Sequence, residues 1–307
     1  MLLDKSYIES LVEKNRIYYK QGKVANYIPE LSKMKADQLG VYIVGKNGLE
    51  IGIGDYNTIF SIQSISKILT FILAILDRGE EKVFSKIGSE PSGDAFNSII
   101  KLEVSKLKKP YNPMINAGAI GISSMIYGET STERVEKVLK LARLLANNQD
   151  INIMDEICKS EKETGFRNMG IAYFLKNEGI IEGDVEVALD TYFKQCSIGI
   201  TTRDLANIAF CLANRGRNIK GDVILPEKVC RYAVSLMTTC GLYDGSGNFA
   251  LKCGIPTKSG VGGGLLSSVP GSLGIGVFSP PLDENGNSLV GIKFLTELSD
   301  NLKLSIF

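Results

Sequence analysis

Strand-type patterning falls near the two ends of this chain, and the long stretch between them reads largely as helix. Near the start, VYIVG and LEIGIG flank Lys46-Asn47-Gly48, a strong hairpin signal. Near the end, Thr257 to Leu266 is glycine-rich with an extended start and Gly271 to Ser279 alternates as a strand. Asn285-Gly286 then leads to Leu289 to Leu295, expected as a further strand before a short final helix. From Ile62 to about Ala250 the apolar spacing predicts helices over Thr132 to Asn147, Met169 to Lys176, Asp184 to Gln195, Thr202 to Asn214 and Pro226 to Thr239. Gly216 and Gly241 close the last two. Residues 4 to 20 predict an amphipathic helix stopped by Gly22, and Ile28 before Pro29 is pushed out of the helical region. Hairpins at opposite chain ends are most simply satisfied by one antiparallel sheet built from both termini. The expected fold is therefore α+β, a sheet flanked by the terminal helices plus an all-helical lobe, with a cleft between. The 307 residues are expected to form a single domain, with a sheet lobe of about 1–61 and 251–307 and a helical lobe of about 62–250.

Charge and composition narrow the function by exclusion. Lys plus Arg number 35 against 34 Asp plus Glu, so no global field favours nucleic acid or an anionic membrane. The N-terminal MLLDKSYIESLVEK carries charges throughout and lacks a signal-peptide core, so a soluble, cytoplasmic protein is expected. The six cysteines include no Cys-x-x-Cys pair, which favours buried, reduced thiols over disulfides or a metal knot. The most decisive number is zero histidines. Its absence rules out Ser-His-Asp and Cys-His catalysis and histidine-based metal sites. Acid–base chemistry must come from Lys, Tyr, Asp, Glu or Cys, and no metal or organic cofactor is called for.

Against that background FSIQSISKILTFILAIL, residues 60–76, stands out. Ser64 and Lys67 are three residues apart at the start of a run, Ile68 to Leu76, in which only Thr70 is polar. In a helix they share one face of the first turn. A serine hydroxyl needs a base beside it to become a nucleophile, and the positive end of a helix favours the negative charge that develops. Ser-x-x-Lys also occurs at Ser32/Lys35, Ser98/Lys101 and Ser105/Lys108, in polar surroundings that read as solvated face or loop. Only Ser64 opens a segment apolar enough to be buried. Burial is what lowers a lysine from its ordinary value near ~10.4 and leaves it partly neutral at pH 7. The same spacing also fits an ordinary helix start with a capping serine.

The partner for this dyad is Lys258-Ser259-Gly260, followed by Val261-Gly262-Gly263-Gly264. A Lys-Ser/Thr-Gly triplet on an edge strand facing a Ser-x-x-Lys helix is the layout of serine β-lactamases and penicillin-binding proteins. There a strand N–H and the serine's own N–H form the oxyanion hole, here Val261 and Ser64. The glycines are not a phosphate loop, because no Gly-Lys-Ser/Thr follows them.

The chain closely resembles the serine-dependent glutaminases, which share the β-lactamase/transpeptidase-like fold. The stretches that carry the resemblance are GKVANYIPEL, FSIQSISK, YNPMINAGAI, SEKETGFRN, DTYFKQCSI, MTTCGLYDGSG, PTKSGVGGG and GIGVFSPPLDENGNS, in order from about Gly22 to the C-terminus. The resemblance is to a catalytic-domain-only, bacterial-type form, expected to do without the ankyrin repeats and N-terminal extension of animal members. The resemblance implies Ser64 as nucleophile and Lys67 as base, with Tyr192 and Tyr243 as proton-relay candidates. It implies that Tyr27, Asn116, Glu161, Asn168, Tyr192, Tyr243 and Val261 surround L-glutamine, with Lys258, Ser259 and Gly260 in support. Glu161 offers a counter-charge to the α-ammonium, and Asn and Tyr donors suit the α-carboxylate. A homodimer or homotetramer is implied as well.

Read without the family, each of these residues has an ordinary place to go: Tyr27 beside Pro29, Asn116 and Asn168 as caps, Glu161 as a solvated charge, Tyr192 in the core, Tyr243 on a loop. Two rival functions share the same pieces. A β-lactamase or penicillin-binding-protein-like acyltransferase would use Glu161 as a deacylation base, although an export signal is missing. A binding module on the same fold would not need Ser64 at all.

Overall fold

A computed structural model describes residues 3–93 and 108–307. The Ser98/Lys101 pair and Ser105 lie outside the described residues. Helix α1 (Lys5–Arg16) is capped by Asp4, whose carboxylate accepts from Tyr7 N at 2.8 Å, and it runs on as a 3-10 turn to Gln21. The hairpin β1 (Gly40–Gly45) and β2 (Glu50–Gly54) turns through Lys46–Gly48 as the sequence predicts. A two-residue strand β3 (Phe60–Ser61) leads through a 3-10 turn, Gln63–Ile65, into α2 (Ser66–Arg78) and α3 (Glu80–Lys86). Next come α4 (Asn116–Met125), α5 (Ser131–Ala146), α6 (Asp155–Thr164), α7 (Phe166–Asn177) and α8 (Val185–Cys196). The two-residue strand β4 (Gly199–Ile200) pairs with β3, and α9 (Thr202–Ala213), α10 (Glu227–Cys240) and α11 (Ser246–Lys252) follow. The chain ends in β5 (Thr257–Ser259), β6 (Gly264–Val269), β7 (Leu273–Phe278) and α12 (Leu289–Leu302).

The five-stranded sheet has the order β2-β1-β7-β6-β5, every neighbour antiparallel. β7 is the seam that joins the two chain ends, with Val41 opposite Val277 and Ile43 opposite Ile275. One face carries Val41, Ile43, Leu265, Ile275 and Val277 against α1 and α12 in a continuous apolar core. The other face is made shallow by glycine. A Cβ on Gly274 would lie 2.2 Å from Ala206 O, and one on Gly276 2.0 Å from Thr202 O. Helix α9 can therefore rest directly on the β7 backbone. A second, larger core joins α2, α4, α5, α8 and α10.

One expectation about the end of the chain changes. Leu289 to Leu295 is helix rather than strand: Val290, Phe294, Leu295 and Leu298 are all buried at helical spacing, and the Ser288 hydroxyl accepts from Gly291 N at 3.3 Å. The short apolar run LVGIKFL fits both periods, and the N-cap with the downstream Leu298 decides for the helix. Thr257 to Leu266 has the extended start expected of it, in β5. It is a hairpin in which Gly263 (φ +94°) takes the turn, with Gly260 N bonded to Gly264 O at 3.0 Å.

Candidate active site

Ser64 sits in the 3-10 turn just ahead of α2, and Lys67 in the first turn of that helix. Ser64 is no helix cap: the N-cap position of α2 is Ile65. The residue before it, Gln63, holds φ +50°, a left-handed conformation rarely tolerated by a side-chain-bearing residue. Such backbone persists where surrounding contacts over-determine it. Here the contacts come from the β5–β6 turn. A Cβ on Gly260 would meet Ile62 O at 2.7 Å, and one on Gly262 would meet Ser61 O at 2.6 Å. The absence of side chains lets the turn lie against the backbone leading to Ser64, which brings Val261 to the same cavity as Ser64.

Lys67 is fully buried. Its Nζ donates to Met114 O at 3.1 Å and to Asn116 Oδ1 at 2.7 Å. Burial lowers its pKa to about 8, against the opposing pull of Cys196 and Glu161. Asn116, at the start of α4, passes the contact on through Nδ2 to Asn168 Oδ1 of α7 at 3.0 Å. Glu161, on α6, is 6% exposed, and burial raises its pKa to about 7 despite a hydrogen bond from Gln63 and the field of Lys67. The Lys67 and Glu161 charges thus oppose one another across the site.

A cavity of about 210 Å³ opens over these groups. Tyr27, Ser64, Asn116, Glu161, Asn168, Tyr192 and Val261 all line it, so seven of the predicted substrate-binding residues converge from seven segments of chain. Tyr192 is buried on α8, which raises its pKa, and Tyr27 forms part of the mouth with 53% of its surface exposed. Tyr243 stands differently. It hydrogen bonds to Ser64, yet it lines a neighbouring cavity of about 400 Å³ with Met114 and Asp244 rather than the cavity over Ser64. Its backbone is also left-handed, φ +52°.

Lys258 is fully buried on the edge strand β5, donating to Gly241 O at 2.9 Å and Ser259 O at 2.6 Å. Ser259 contributes through its backbone. Its strand partner Leu265 belongs to the core under α1 and α12, whereas Leu266, opposite Lys258, belongs to the helical core. Side chains of paired residues share a face, so the Ser259 hydroxyl points away from the cleft. The cavity is lined as well by Gln63 and Cys196, which the sequence reading did not single out. Burial pushes the Cys196 thiol up to about 12. Gln63 was legible only as the neighbour of Ser64, and Cys196 only as the residue one turn after Tyr192.

Comparison with known proteins settles the family. The family model described as Glutaminase matches residues 22–307. This chain belongs to the glutaminase family. A glutaminase of Clostridium tetani is 54% identical over 303 residues, 98% of this chain and 99% of the relative. The crystal structure of a probable glutaminase of Bacillus subtilis superposes with a TM-score of 0.93 at 39% identity, covering 99% of this chain and 97% of that one. A Bacillus subtilis glutaminase in covalent complex with 5-oxo-L-norleucine, formed by reaction with 6-diazo-5-oxo-L-norleucine, superposes with a TM-score of 0.91 at 38% identity, covering 99% of each chain. The chain is accordingly an enzyme of the glutaminase class, with the α+β, β-lactamase-like fold that the sequence implied. Among the described residues no helix is long and apolar enough to cross a membrane, and no cluster of His, Cys, Asp and Glu is placed to hold a metal ion.

Proposed function

We propose that this glutaminase hydrolyses the side-chain amide of L-glutamine through a γ-glutamyl ester on Ser64, with Lys67 as general base. The observation that carries the reading is the Lys67 amine: fully buried, with two hydrogen-bond acceptors and a pKa lowered to about 8. A neutral amine has two N–H bonds and one lone pair. Met114 O and Asn116 Oδ1 take the two N–H bonds, which leaves the lone pair for the Ser64 proton.

Lys67 takes that proton as Ser64 Oγ bonds to the amide carbon, and the N–H groups of Ser64 and Val261 hold the oxyanion. The C–N bond then breaks, and the proton on Lys67 passes to the leaving nitrogen, with Tyr243, hydrogen-bonded to Ser64, as the relay. Water attacks the ester, Lys67 accepts its proton and returns it to Ser64, and glutamate departs. Ionised Glu161 pairs with the substrate α-ammonium, while Asn168, Tyr27 and Tyr192 supply polar contacts to the rest of the amino-acid head.

The cavity of about 210 Å³ is smaller than the roughly 300 to 1,000 Å³ of drug-sized sites, which suits a free amino acid better than a peptide or β-lactam. The covalent adduct of the Bacillus subtilis relative with a glutamine-like reagent supports a nucleophile in the shared site. The whole chain acts as one catalytic domain, and the family resemblance favours a homodimer or homotetramer. Comparing ammonia release from glutamine with hydrolysis of a chromogenic β-lactam, for the wild type and Ser64→Ala, tests the reading. It predicts glutamine turnover only, lost with Ser64, and β-lactam turnover would favour the acyltransferase alternative.

A further inference from the structure

One buried group has no task in the chemistry above. Lys258 lies on β5 with its amine entirely enclosed. Among the described residues the titratable groups that face it are Lys67 from α2, Cys240 at the end of α10 and the Tyr243 ring, with no carboxylate among them. Both of its hydrogen bonds go to backbone carbonyls, Gly241 O at 2.9 Å and Ser259 O at 2.6 Å. Those two carbonyls belong to the two segments that meet beside Ser64. Gly241 O also accepts from Ser259 N at 3.1 Å, and Ser259 O also accepts the Tyr243 hydroxyl at 3.5 Å. The amine lies 4.6 Å from the centre of the Tyr243 ring.

The turn that Lys258 holds is itself under constraint. Gly241 approaches β5 so closely that a Cβ would fall 1.8 Å from Thr257 O, and two residues later Tyr243 is left-handed. A tyrosine in that region needs outside support to stay there. Asn287 Nδ2 gives some, donating to Leu242 O at 3.3 Å. Ser246 Oγ gives more, accepting from Leu242 N at 3.0 Å and donating to Tyr243 O at 3.0 Å, and Lys258 adds its own hold at the same carbonyl cluster that the Tyr243 hydroxyl reaches.

We propose that Lys258 is a positioning residue, a buried amine clamp that fastens the Gly241–Tyr243 turn to the end of β5 and so aims the Tyr243 hydroxyl at Ser64. It acts as a neutral amine, since two N–H bonds meet two carbonyls and no anion among the described residues offsets a charge. Burial and the proximity of Lys67 both drive it toward the neutral form. It touches neither substrate nor reacting atoms, in contrast to a lysine that binds a substrate carboxylate. The inference rests on the Ser64–Lys67 reading and adds the question of what keeps the relay in register.

The test compares Lys258→Met, which keeps the length and apolar bulk but has no donor, and Lys258→Gln, which retains two N–H donors, with Tyr243→Phe and the double variant Lys258→Met/Tyr243→Phe. Melting temperature, kcat and KM for glutamine, and the pH dependence of kcat are measured for each. Lys258→Met should lose about 100-fold in kcat, in the range of a lost acid–base contribution, with KM nearly unchanged. Lys258→Gln should keep more of kcat than Lys258→Met. The double variant should be no slower than the worse single variant, because both changes remove one function. The pH midpoint set by Lys67, which also faces Glu161 and Cys196, should stay in place, as removal of a neutral group leaves its field unaltered. Full kcat in Lys258→Met, a raised KM at constant kcat, a pH midpoint that moves, or losses that multiply in the double variant would each overturn the inference. Both Lys258 variants unfolding would assign the residue to stability and overturn it too. Residual turnover in Ser64→Ala would instead defeat the underlying serine mechanism, whatever Lys258 does.

Discussion

The Lys67 amine lies 2.7 Å from the side-chain oxygen of Asn116, and Asn116 in turn holds Asn168 at 3.0 Å. A neutral amide in that position gives Lys67 an acceptor without giving it a counter-ion, which leaves burial free to lower its pKa. Asn116→Asp would place a carboxylate there. An opposite charge at hydrogen-bond distance raises a lysine pKa by about 1 to 3 units, so the rising limb of kcat should move to higher pH by that amount. At neutral pH kcat should fall about tenfold per unit. An unmoved limb with reduced kcat would mean that Asn116 acts on substrate alone.

In the wild type the two buried groups predict separate limbs. In its proposed role Lys67 works when deprotonated, so kcat should rise with pH through about 8. Glu161, in its proposed role, holds the α-ammonium when ionised, and its pKa is raised to about 7, so KM should fall as pH rises through 7. Steady-state kinetics from pH 5.5 to about 9 resolve both. A flat kcat profile would count against a lysine base.

Glu161 also links function to stability. A carboxyl whose folded pKa is raised favours the folded state in its protonated form, and that contribution is lost as pH rises through the folded value. Glu161→Gln should therefore melt a few degrees above the wild type at pH 8, with the difference closing below about pH 5. The same change removes a charge-assisted contact of about 1.5 to 3 kcal/mol, so KM should rise roughly 10- to 150-fold. Calorimetry and kinetics on one preparation check both signs.

The glycines of the β5–β6 turn make a steric prediction. Gly262→Ala would place a methyl carbon 2.6 Å from Ser61 O, and the clash is with backbone, which cannot swing away as a side-chain tip can. The turn must lift, carrying Val261 off the oxyanion position. An oxyanion donor is worth about 3 to 4 kcal/mol, so a loss of about 100-fold or more in kcat is expected, with KM much less affected. A variant as active as wild type would remove Val261 N–H from the mechanism.

The helical centre and the hairpin near the start were readable from periodicity because each element repeats its pattern over several turns or residues. Residues 289–302 were misread at their start because LVGIKFL satisfies both periods, and only the Ser288 cap with Leu298 further on selects the helix. The β3–β4 pairing, two residues on each side, is too short to leave any pattern. At the site, Ser64 and Lys67 were legible because an apolar run forces the lysine inward. The convergence of Tyr27, Asn116, Glu161, Asn168 and Tyr192 on one cavity was legible only through the family resemblance, since they lie far apart in sequence. Gln63 and Cys196 left no signal because their significance is positional: a left-handed backbone beside Ser64, and one helical turn beyond Tyr192. The placement of Tyr243 in the neighbouring cavity depends on a left-handed turn that no spacing rule encodes.

The central claim is that Ser64 forms the covalent bond, and peptide mapping after rapid acid quench of the enzyme with glutamine tests it most directly. At a pH just below the Lys67 value, where deacylation is slowed, a γ-glutamyl ester should be found on the peptide containing Ser64 and be absent from Ser64→Ala, which releases no ammonia. An ester on any other residue, or sustained ammonia release by Ser64→Ala, would contradict the account.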